Sequence, residues 1–471
     1  MIDLKLAWRN LWRNKRRTFI TAASVFFAMF FALVMRSFQL GTYDRLFKNV
    51  IESYTGYLQL QNTDYFDDPI LDNSFEFIPS LIIKIQADPN VIAIVQRLES
   101  FALVAAGSLT QGVMVMGIDP EGEDKVSGIK GRLVKFKLTE EAVKGLKNEP
   151  IPNRTKKLLD AFINESYTGV GRLMADLAID AKDSLTILPL VRRHASFKNG
   201  FFSHDKLNSV LLGDGLADYL RIGIGDTIVI MGQGYHGMSA AGKYCVKGII
   251  RVPAPDIDNR IVYMPIEAAR QLYGASEIAT SAVISLHNND DDNMLLTAQR
   301  LNKKMPEQYV VRTWHELNAL LINQMEADSR SGAIMIWILY LVIAFGVFGT
   351  VLMMLAERRR EFGVLVAIGM QKRRLATVMS LELIMTGCLG IAAGVLVSLP
   401  VVFYGHFHPV RFTGSWAKMY EDFGFDPVMP TMLPDRYYLW QILVVVIILA
   451  ITIIYSNRRI FRLKIVNALR A

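Results

Sequence analysis

Two glycine-rich stretches near the middle of the chain have the spacing of phosphate-binding loops. Residues 232–237 read Gly-x-Gly-x-x-Gly, as in loops that bind a dinucleotide, and residues 237–243 come within one residue of a P-loop. A second strand, not a helix, is predicted after the first stretch, so a phosphate would lack a helix N-terminus. Tyr244 also stands where a P-loop has the Ser or Thr that holds Mg²⁺. We therefore interpret residues 232–242 as a flexible hairpin loop without a nucleotide site.

The histidines and an acidic run do not have the spacing of a metal site. His406-x-His408 has no further ligands at a suitable distance along the chain, and the remaining histidines are scattered. The acidic residues 290–292 are not followed by the Glu that closes an EF-hand loop. These patterns predict no catalytic residues, no metal and no cofactor in this chain.

The composition is that of a membrane protein with a large water-exposed part. Hydrophobic residues make up 52% of the chain and charged residues 20%, with a formal net charge of +8. A bundle of membrane helices alone would carry fewer charges. Four apolar runs are long enough to cross about 30 Å of hydrocarbon: residues 18–40, 331–356, 375–404 and 437–456.

Basic residues mark one side of this predicted membrane protein. Lys and Arg are retained in the cytoplasm, and they cluster in residues 5–17, 358–360 and 458–470. With four spans, all three clusters fall on the same side. We therefore predict cytoplasmic termini at residues 1–17 and 457–471, a cytoplasmic segment at residues 357–374, and extracytoplasmic parts at residues 41–330 and 405–436.

Residues 1–17 precede the first span and carry two tryptophans. Trp8 and Trp12 stand among Leu and basic residues, which predicts an amphipathic helix on the inner leaflet. The alternative is a basic tail that only sets topology. The first span is longer than the apolar core of a signal peptide and no small-x-small site follows it, so we expect a retained helix.

Residues 41–330 are predicted to form a mixed α/β domain, which gives an α+β fold class. Runs rich in β-branched residues and bounded by Gly, Pro, Asn or Asp predict strands at residues 57–61, 91–95, 112–117, 209–212, 227–231, 243–250, 260–264 and 281–286. Helices are predicted at residues 140–147, 215–219, 265–273, 292–304 and 313–327. Residues 183–187 resemble residues 226–230, which indicates either an internal repeat or two similar helix-to-strand turns. We favour the turns, because the glycines differ.

Residues 357–374 form a charged, helix-compatible segment between two long apolar runs. The segment has an acidic-basic start, an apolar middle with Gly363 and Gly369, and a basic end. It resembles the cytoplasmic coupling element of the FtsX-like permease family, the membrane subunits of a class of ABC transporters. Residues 56–61, 116–120, 213–230 and 467–470 fit the same family, and the resemblance is weakest over residues 131–206.

The resemblance implies a fold, partners and a set of coupling residues. The fold is four transmembrane helices, with a large mixed α/β extracytoplasmic domain inserted between the first two. The chain would be a non-catalytic mechanical transmitter in the cell inner membrane, paired with a second permease copy or paralogue. A separate cytoplasmic ABC ATPase would bind ATP and Mg; no nucleic acid is expected. The implied ATPase-coupling residues are Glu357, Arg358, Arg359, Arg360, Glu361, Gly363, Gly369, Arg373 and Arg374.

Within this family the chain looks most like the lipoprotein-releasing branch. The strand at residues 56–61 and the following residues 64–69 carry that likeness. The alternatives are a macrolide or peptide efflux permease, and a regulator of an extracytoplasmic hydrolase that moves no substrate. In lipoprotein-releasing relatives acyl chains enter a cavity between the first span of one permease and the second span of its partner, although such faces suit bulk lipid equally well. The corresponding residues here are Phe27, Phe30, Phe31, Val34, Ile336, Trp337, Tyr340 and Leu341.

The hairpin loop is a predicted site for a partner protein. In lipoprotein-releasing relatives a Pro-containing hook at the equivalent place docks a periplasmic carrier. Residues 232–242 are shorter and contain no Pro, a departure from the family pattern at this site. The residues implied are Gly232, Tyr235, His236 and Gly242.

Three features of the spans and the cysteines give further expectations. Glu382 is predicted near the inner end of the third span, where it would pair with Arg373 or Arg374; the alternative is a proton relay. Gly390-x-x-x-Gly394 and Gly346-x-x-Gly349 would allow close helix approach, either within the chain or in a dimer. The two cysteines cannot form a disulfide framework, and Cys245 is predicted to be buried.

Overall fold

The computed structural model describes residues 2–13, 15–202, 207–422 and 426–462. The end of the predicted cytoplasmic tail, with Lys464, Arg470 and the family-like residues 467–470, lies outside these ranges, as does His204. The chain divides into two compact units. The helical unit comprises Met1–Arg45, Asn323–Val410 and Val428–Ala471, and the mixed unit comprises Leu46–Ile322 and Arg411–Pro427.

The elements are numbered here in chain order. The α-helices are α1 (Ile2–Arg13), α2 (Lys15–Val50), α3 (Pro79–Gln86), α4 (Pro120–Ser127), α5 (Glu140–Lys147), α6 (Asn153–Ala161), α7 (Val170–Asp176), α8 (Ala181–Ala195), α9 (Asp214–Leu220), α10 (Pro255–Asp258), α11 (Ile266–Tyr273), α12 (Asp291–Lys304), α13 (Trp314–Leu317), α14 (Ala319–Glu357), α15 (Arg359–Ala367), α16 (Lys372–Phe407), α17 (Ser415–Asp422) and α18 (Arg436–Phe461). The strands are β1 (Leu58–Asn62), β2 (Phe75–Glu76), β3 (Val91–Ala106), β4 (Leu109–Ile118), β5 (Phe136–Lys137), β6 (Ser166–Tyr167), β7 (Ser209–Gly213), β8 (Thr227–Gln233), β9 (Ser239–Ile250), β10 (Ile261–Pro265), β11 (Ile278–Ala279), β12 (Ser281–Leu286), β13 (Tyr309–Thr313), β14 (Val410–Arg411) and β15 (Val428–Met429).

Four described helices are long and apolar enough to cross a membrane. They are Thr18–Thr55, Ala319–Glu357, Lys372–Phe407 and Arg436–Phe461. Each contains one of the predicted spans and extends beyond it. The helices are longer than the predicted spans because the apolar run identifies only the residues that suit the hydrocarbon of a bilayer. The backbone hydrogen bonds of each helix continue into its polar flanks.

Small residues bring α2 and α16 together inside the helical unit. A Cβ atom added at Gly390 would lie 2.7 Å from both the carbonyl oxygen of Ala22 and Cβ of Val25. One added at Gly394 would lie 2.6 Å from Cβ of Met29. The Gly390/Gly394 pair therefore serves packing within the chain, the first of the two alternatives left open by the sequence. At Gly346 and Gly349 an added Cβ would meet no described atom within 4 Å.

The mixed unit is built on a nine-stranded sheet in the order β13-β1-β12-β3-β4-β10-β7-β9-β8. The 16-residue strand β3 also pairs with β8, so β3, β4, β10, β7, β9 and β8 close on themselves. Val104, Val115 and Ile230 are fully buried in the core of this closed part. The predicted α+β fold class, four apolar helices with a mixed α/β domain, is confirmed.

The ends of α2 and α14 that belong to the mixed unit are joined by neighbouring strands. β1 and β13 are antiparallel partners, with Leu58 opposite Thr313 and Leu60 opposite Val311. Next to this ladder the rings of Phe47 and Trp314 lie 4.9 Å apart. The mixed-unit ends of α2 and α14 therefore connect to the same end of the sheet.

A small helical subdomain occupies the region where the sequence was least informative. Its core is formed by β5, β6 and helices α5 to α8. The prediction of a helix-to-strand turn at residues 183–187 is wrong, because these residues lie in α8. Ile187, Val191 and Ala195 are buried at intervals of four residues, which is the spacing of a helix face.

Two further predictions about the mixed unit need correction. Residues 313–327 are not one helix, because β13 ends at Thr313 and two helices follow. The Thr313 side chain and Glu316 form a capping box that starts α13. Cys245 is exposed, not buried, because Tyr244 and Val246 take the inward positions of the alternating strand β9.

Candidate functional site

The segment between α14 and α16 folds as a short helix, α15, with a defined end. The amide of Gly369 donates to the carbonyl oxygen of Val366 at 3.1 Å, and that of Met370 to Leu365 at 3.0 Å. These two bonds form a Schellman motif. Gly369 has a φ of 106°, a conformation that side chains with a Cβ rarely adopt. The predicted coupling residue Gly369 is thus the stop of α15.

Arg358 anchors this segment from inside the helical unit. Its Nη1 donates to both carboxylate oxygens of Glu382, at 3.0 and 2.9 Å. The two side chains are only 7% and 3% exposed. Arg358, predicted as part of an ATPase-facing set, is therefore not at the surface.

The predicted partners of Glu382 are wrong. Glu382 lies on the buried face of α16, beside Met379 and Leu383, whereas Arg373 and Arg374 are exposed in its first turn. Arg358 reaches Glu382 because the end of α14 lies against that buried face. Sequence spacing alone favoured the cations nearer in the chain.

The outer face of α15 presents both charge and apolar side chains. Phe362 and Gly363 are buried, and Val366 and Met370, four and eight residues after Phe362, are partly buried in the same core. The opposite face is exposed, and Ile368 at the tip is 80% exposed. We call this face the coupling surface: Arg359, Arg360, Glu361, Val364, Leu365 and Ile368.

Sequence reasoning found the charges of the coupling surface and missed its apolar tip. Val364 and Ile368 are four residues apart and turn away from the face of Phe362 and Val366. A helical projection of residues 359–368 would have shown two apolar faces. Only one of them can pack into the helical unit.

Helix α1 is tied to this segment by two surface ion pairs. Nη2 of Arg13 lies 2.9 Å from Oε2 of Glu361, and Nε of Arg374 lies 2.9 Å from Oδ1 of Asp3. Each such pair contributes little stability, about 0–1 kcal/mol. Both pairs join α1 to residues 357–374, and Leu11 of α1 is buried.

The residues predicted for a substrate cavity do not share one face. Phe27, Phe31, Trp337 and Leu341 are exposed, and Phe30 and Val34 are half-buried. Ile336 and Tyr340 are buried in the helical core, where the Tyr340 hydroxyl donates to Gln441. Adjacent residues of a helix point in directions about 100° apart. Ile336 and Tyr340 therefore point to a different side of α14 from Trp337 and Leu341.

The predicted docking loop is a tight turn. Gly232 pairs with Ala240, and Ile230 pairs with Gly242, so both glycines belong to the strand ladder. The turn itself is residues 234–238, and the amide of His236 donates to Oδ1 of Asp72 at 2.8 Å. Tyr235 and His236 remain at the tip, on a shorter and more firmly held loop than predicted.

A charged cluster in the mixed unit joins the small helical subdomain to the sheet. Nη2 of Arg251 lies 2.9 Å from Oε1 of Glu165, and Asp258 accepts from the amides of Val252 at 2.7 Å and Gly215 at 2.8 Å. Burial, with the nearby Asp214 carboxylate, raises the pKa of Asp258 to about 7. Among the described residues, no group of three or more His, Cys, Asp or Glu could hold a metal ion.

Comparison with known proteins identifies the part of the chain that carries the coupling surface. Residues 333–465 match the family described as FtsX-like permease C-terminal. These residues form an FtsX-like permease domain. The predicted resemblance to this family is thereby confirmed for the region from α14 to α18.

Curated relatives and solved structures extend this comparison. The chain is 24% identical over 195 residues to the lipoprotein-releasing system transmembrane protein LolC of Neisseria meningitidis, covering 40% of this chain and 46% of that protein. It is 22% identical over 193 residues to LolC of Xylella fastidiosa, with coverages of 40% and 46%. The chain thus spans about half the length of the curated relatives it matches.

Two solved structures are similar to part of this chain. The extracellular domain of the noncanonic ABC-type transporter YknZ from Gram-positive bacteria gives a TM-score of 0.28 at 12% identity, over 55% of this chain and 100% of that one. The periplasmic region of MacB from Actinobacillus actinomycetemcomitans gives a TM-score of 0.30 at 9% sequence identity, over 59% of this chain and 98% of that one.

Proposed function

We propose that this chain is the permease subunit of an ABC transporter and transmits motion from a cytoplasmic ATPase to the mixed unit. The coupling surface carries this proposal, because it combines exposed apolar side chains with basic ones on a helix that is firmly held. Arg358 and Phe362 anchor α15 inside the helical unit, so a push at Ile368 would move the long helices and not only the segment. ATP and Mg would be bound by the partner ATPase.

The proposed substrate is a lipoprotein drawn from the inner membrane. The relatives named LolC belong to lipoprotein-releasing systems, which supports this choice over efflux or hydrolase regulation. The exposed side chains Phe27, Phe31, Trp337 and Leu341 offer apolar surface for acyl chains. A second permease, a lipoprotein and a periplasmic carrier would be the further partners.

Ile368→Glu is expected to uncouple the ATPase. A central apolar side chain of an interface contributes about 2 kcal/mol or more, so we expect ATPase recovery and stimulation to fall on the order of tenfold or more. The measurement is co-purification with the native ATPase, followed by its hydrolysis rate. Leu185→Glu is the matched control, because Leu185 is 85% exposed in the mixed unit. Normal stimulation in the Ile368 variant would contradict the proposal.

The proposed orientation can be tested with the native cysteine of the mixed unit. Cys245 is exposed on β9, so an impermeant maleimide should label it in intact spheroplasts. Labelling of Cys245 should disappear in Cys245→Ser. A cysteine placed at Gln371 in that background should react only after the membrane is permeabilised. The opposite pattern would place the mixed unit in the cytoplasm.

A further inference from the structure

An open crevice lies at the corner where α1 meets α2, on the side of α16. Its volume is about 640 Å³. The walls are almost entirely apolar and include Trp12, Phe19, Ile20 and Leu389. A crevice with such walls accommodates a hydrocarbon chain and has few groups for a polar solute.

The crevice begins at the basic end of the first candidate membrane helix. Lys15 and Arg16 line it three and two residues before Thr18, where the apolar helix Thr18–Thr55 begins. Trp12 lies beside them, with its ring 5.9 Å from that of Trp8 in an edge-to-face contact. Tryptophan and basic side chains both favour the headgroup level of a bilayer, whereas Phe19 and Leu389 lie on apolar helices. The crevice therefore runs from the headgroup level into the hydrocarbon.

The two cations of the crevice have no acidic partner among the described residues. Lys15 and Arg16 are exposed, and the nearby carboxylate of Glu361 is bound by Arg13 at 2.9 Å. The crevice lining contains no acidic side chain. Two cations beside an apolar channel complement a molecule with a negative head and an apolar tail.

We propose that this crevice binds one anionic phospholipid, with its phosphate at Lys15 and Arg16. One acyl chain would lie along Phe19, Ile20 and Leu389. Basic pockets next to membrane helices on the cytoplasmic side are suited to anionic headgroups, because each cation adds favourable attraction. A zwitterionic lipid would bring an ammonium group to the same two cations. This site is separate from the coupling surface and does not depend on the proposed transport function.

The test is native mass spectrometry of the full chain released from nanodiscs that contain equal amounts of phosphatidylglycerol and phosphatidylcholine. We expect one retained phosphatidylglycerol on the unmodified chain. In the double variant Lys15→Gln/Arg16→Gln, retention of phosphatidylglycerol should fall by a factor on the order of ten or more. Arg458→Gln/Arg459→Gln removes the same charge from exposed residues of α18 and should retain the lipid. Both nanodisc leaflets have the same lipids, so the orientation of the chain does not affect the result.

A second pair of variants tests the apolar part without changing charge. Leu389→Trp should fill the crevice and displace the lipid. Leu396 is two turns further along α16 and 66% exposed, so Leu396→Trp should leave the lipid bound. Equal retention of both lipids, or retention unchanged in Lys15→Gln/Arg16→Gln, would overturn the proposal and leave an ordinary surface groove filled by bulk lipid.

Discussion

Arg358→Ala is expected to lower the free energy of unfolding of the helical unit by about 3–5 kcal/mol, because it leaves a buried carboxylate without its partner. Glu382 is 3% exposed and accepts both of its short contacts from Arg358. No described cation other than Arg358 makes an ion pair with Glu382. The loss should appear as a lower Tm in detergent and as less protein recovered from the membrane.

Two control variants separate the buried pair from the surface charges beside it. Arg359→Ala removes an exposed neighbour and should change the Tm little. Arg358→Met/Glu382→Leu should recover most of the stability, because replacing a buried pair by apolar residues is often neutral or stabilising. If Arg358→Ala and Arg359→Ala lose equal stability, the buried pair is not the anchor of α15.

Gly390→Leu is expected to destabilise the helical unit by about 3 kcal/mol, the upper end of the usual cost of overpacking. Even a Cβ at this position would stand 2.7 Å from backbone of α2, at the Ala22 carbonyl. Backbone cannot move aside as the end of a flexible side chain can. We therefore expect α2 and α16 to separate, with a lower Tm and faster proteolysis.

Gly346→Leu is the matched control for this substitution. Gly346 also lies in a long apolar helix, but an added Cβ there meets no described atom within 4 Å. The chain by itself should keep its Tm. A loss of assembly without a loss of stability would place Gly346 in a contact between copies. Equal destabilisation by both variants would contradict the packing role of Gly390.

The sequence predicts the parts of this fold that have local patterns. Apolar runs predict the four long helices, and β-branched runs predict the central strands, because each pattern depends only on neighbours in the chain. β13 escapes prediction because its five residues adjoin a helix signal that starts at Thr313. The local pattern of residues 183–187 indicates a turn into a strand, whereas the buried residues Ile187, Val191 and Ala195 show a helix face.

Tertiary contacts decide most of the candidate site. The charges of residues 357–374 indicate a surface segment, but only the packing of α16 shows that Arg358 is inside and Arg359 outside. Tyr340 is aromatic and near Trp337, and its inward position follows from Gln441 on another helix. The end of α15 has a local signal that the sequence analysis did not use, since a glycine after an apolar helical segment such as Gly369 is typical of a helix stop.

The pairing of β1 with β13 connects the ends of α2 and α14 that belong to the mixed unit. A one-residue slip of this ladder would turn Leu58 and Leu60, both fully buried, out of the core. The ladder therefore holds the mixed-unit ends of α2 and α14 in one register, so neither end can slide along the other without exposing these leucines.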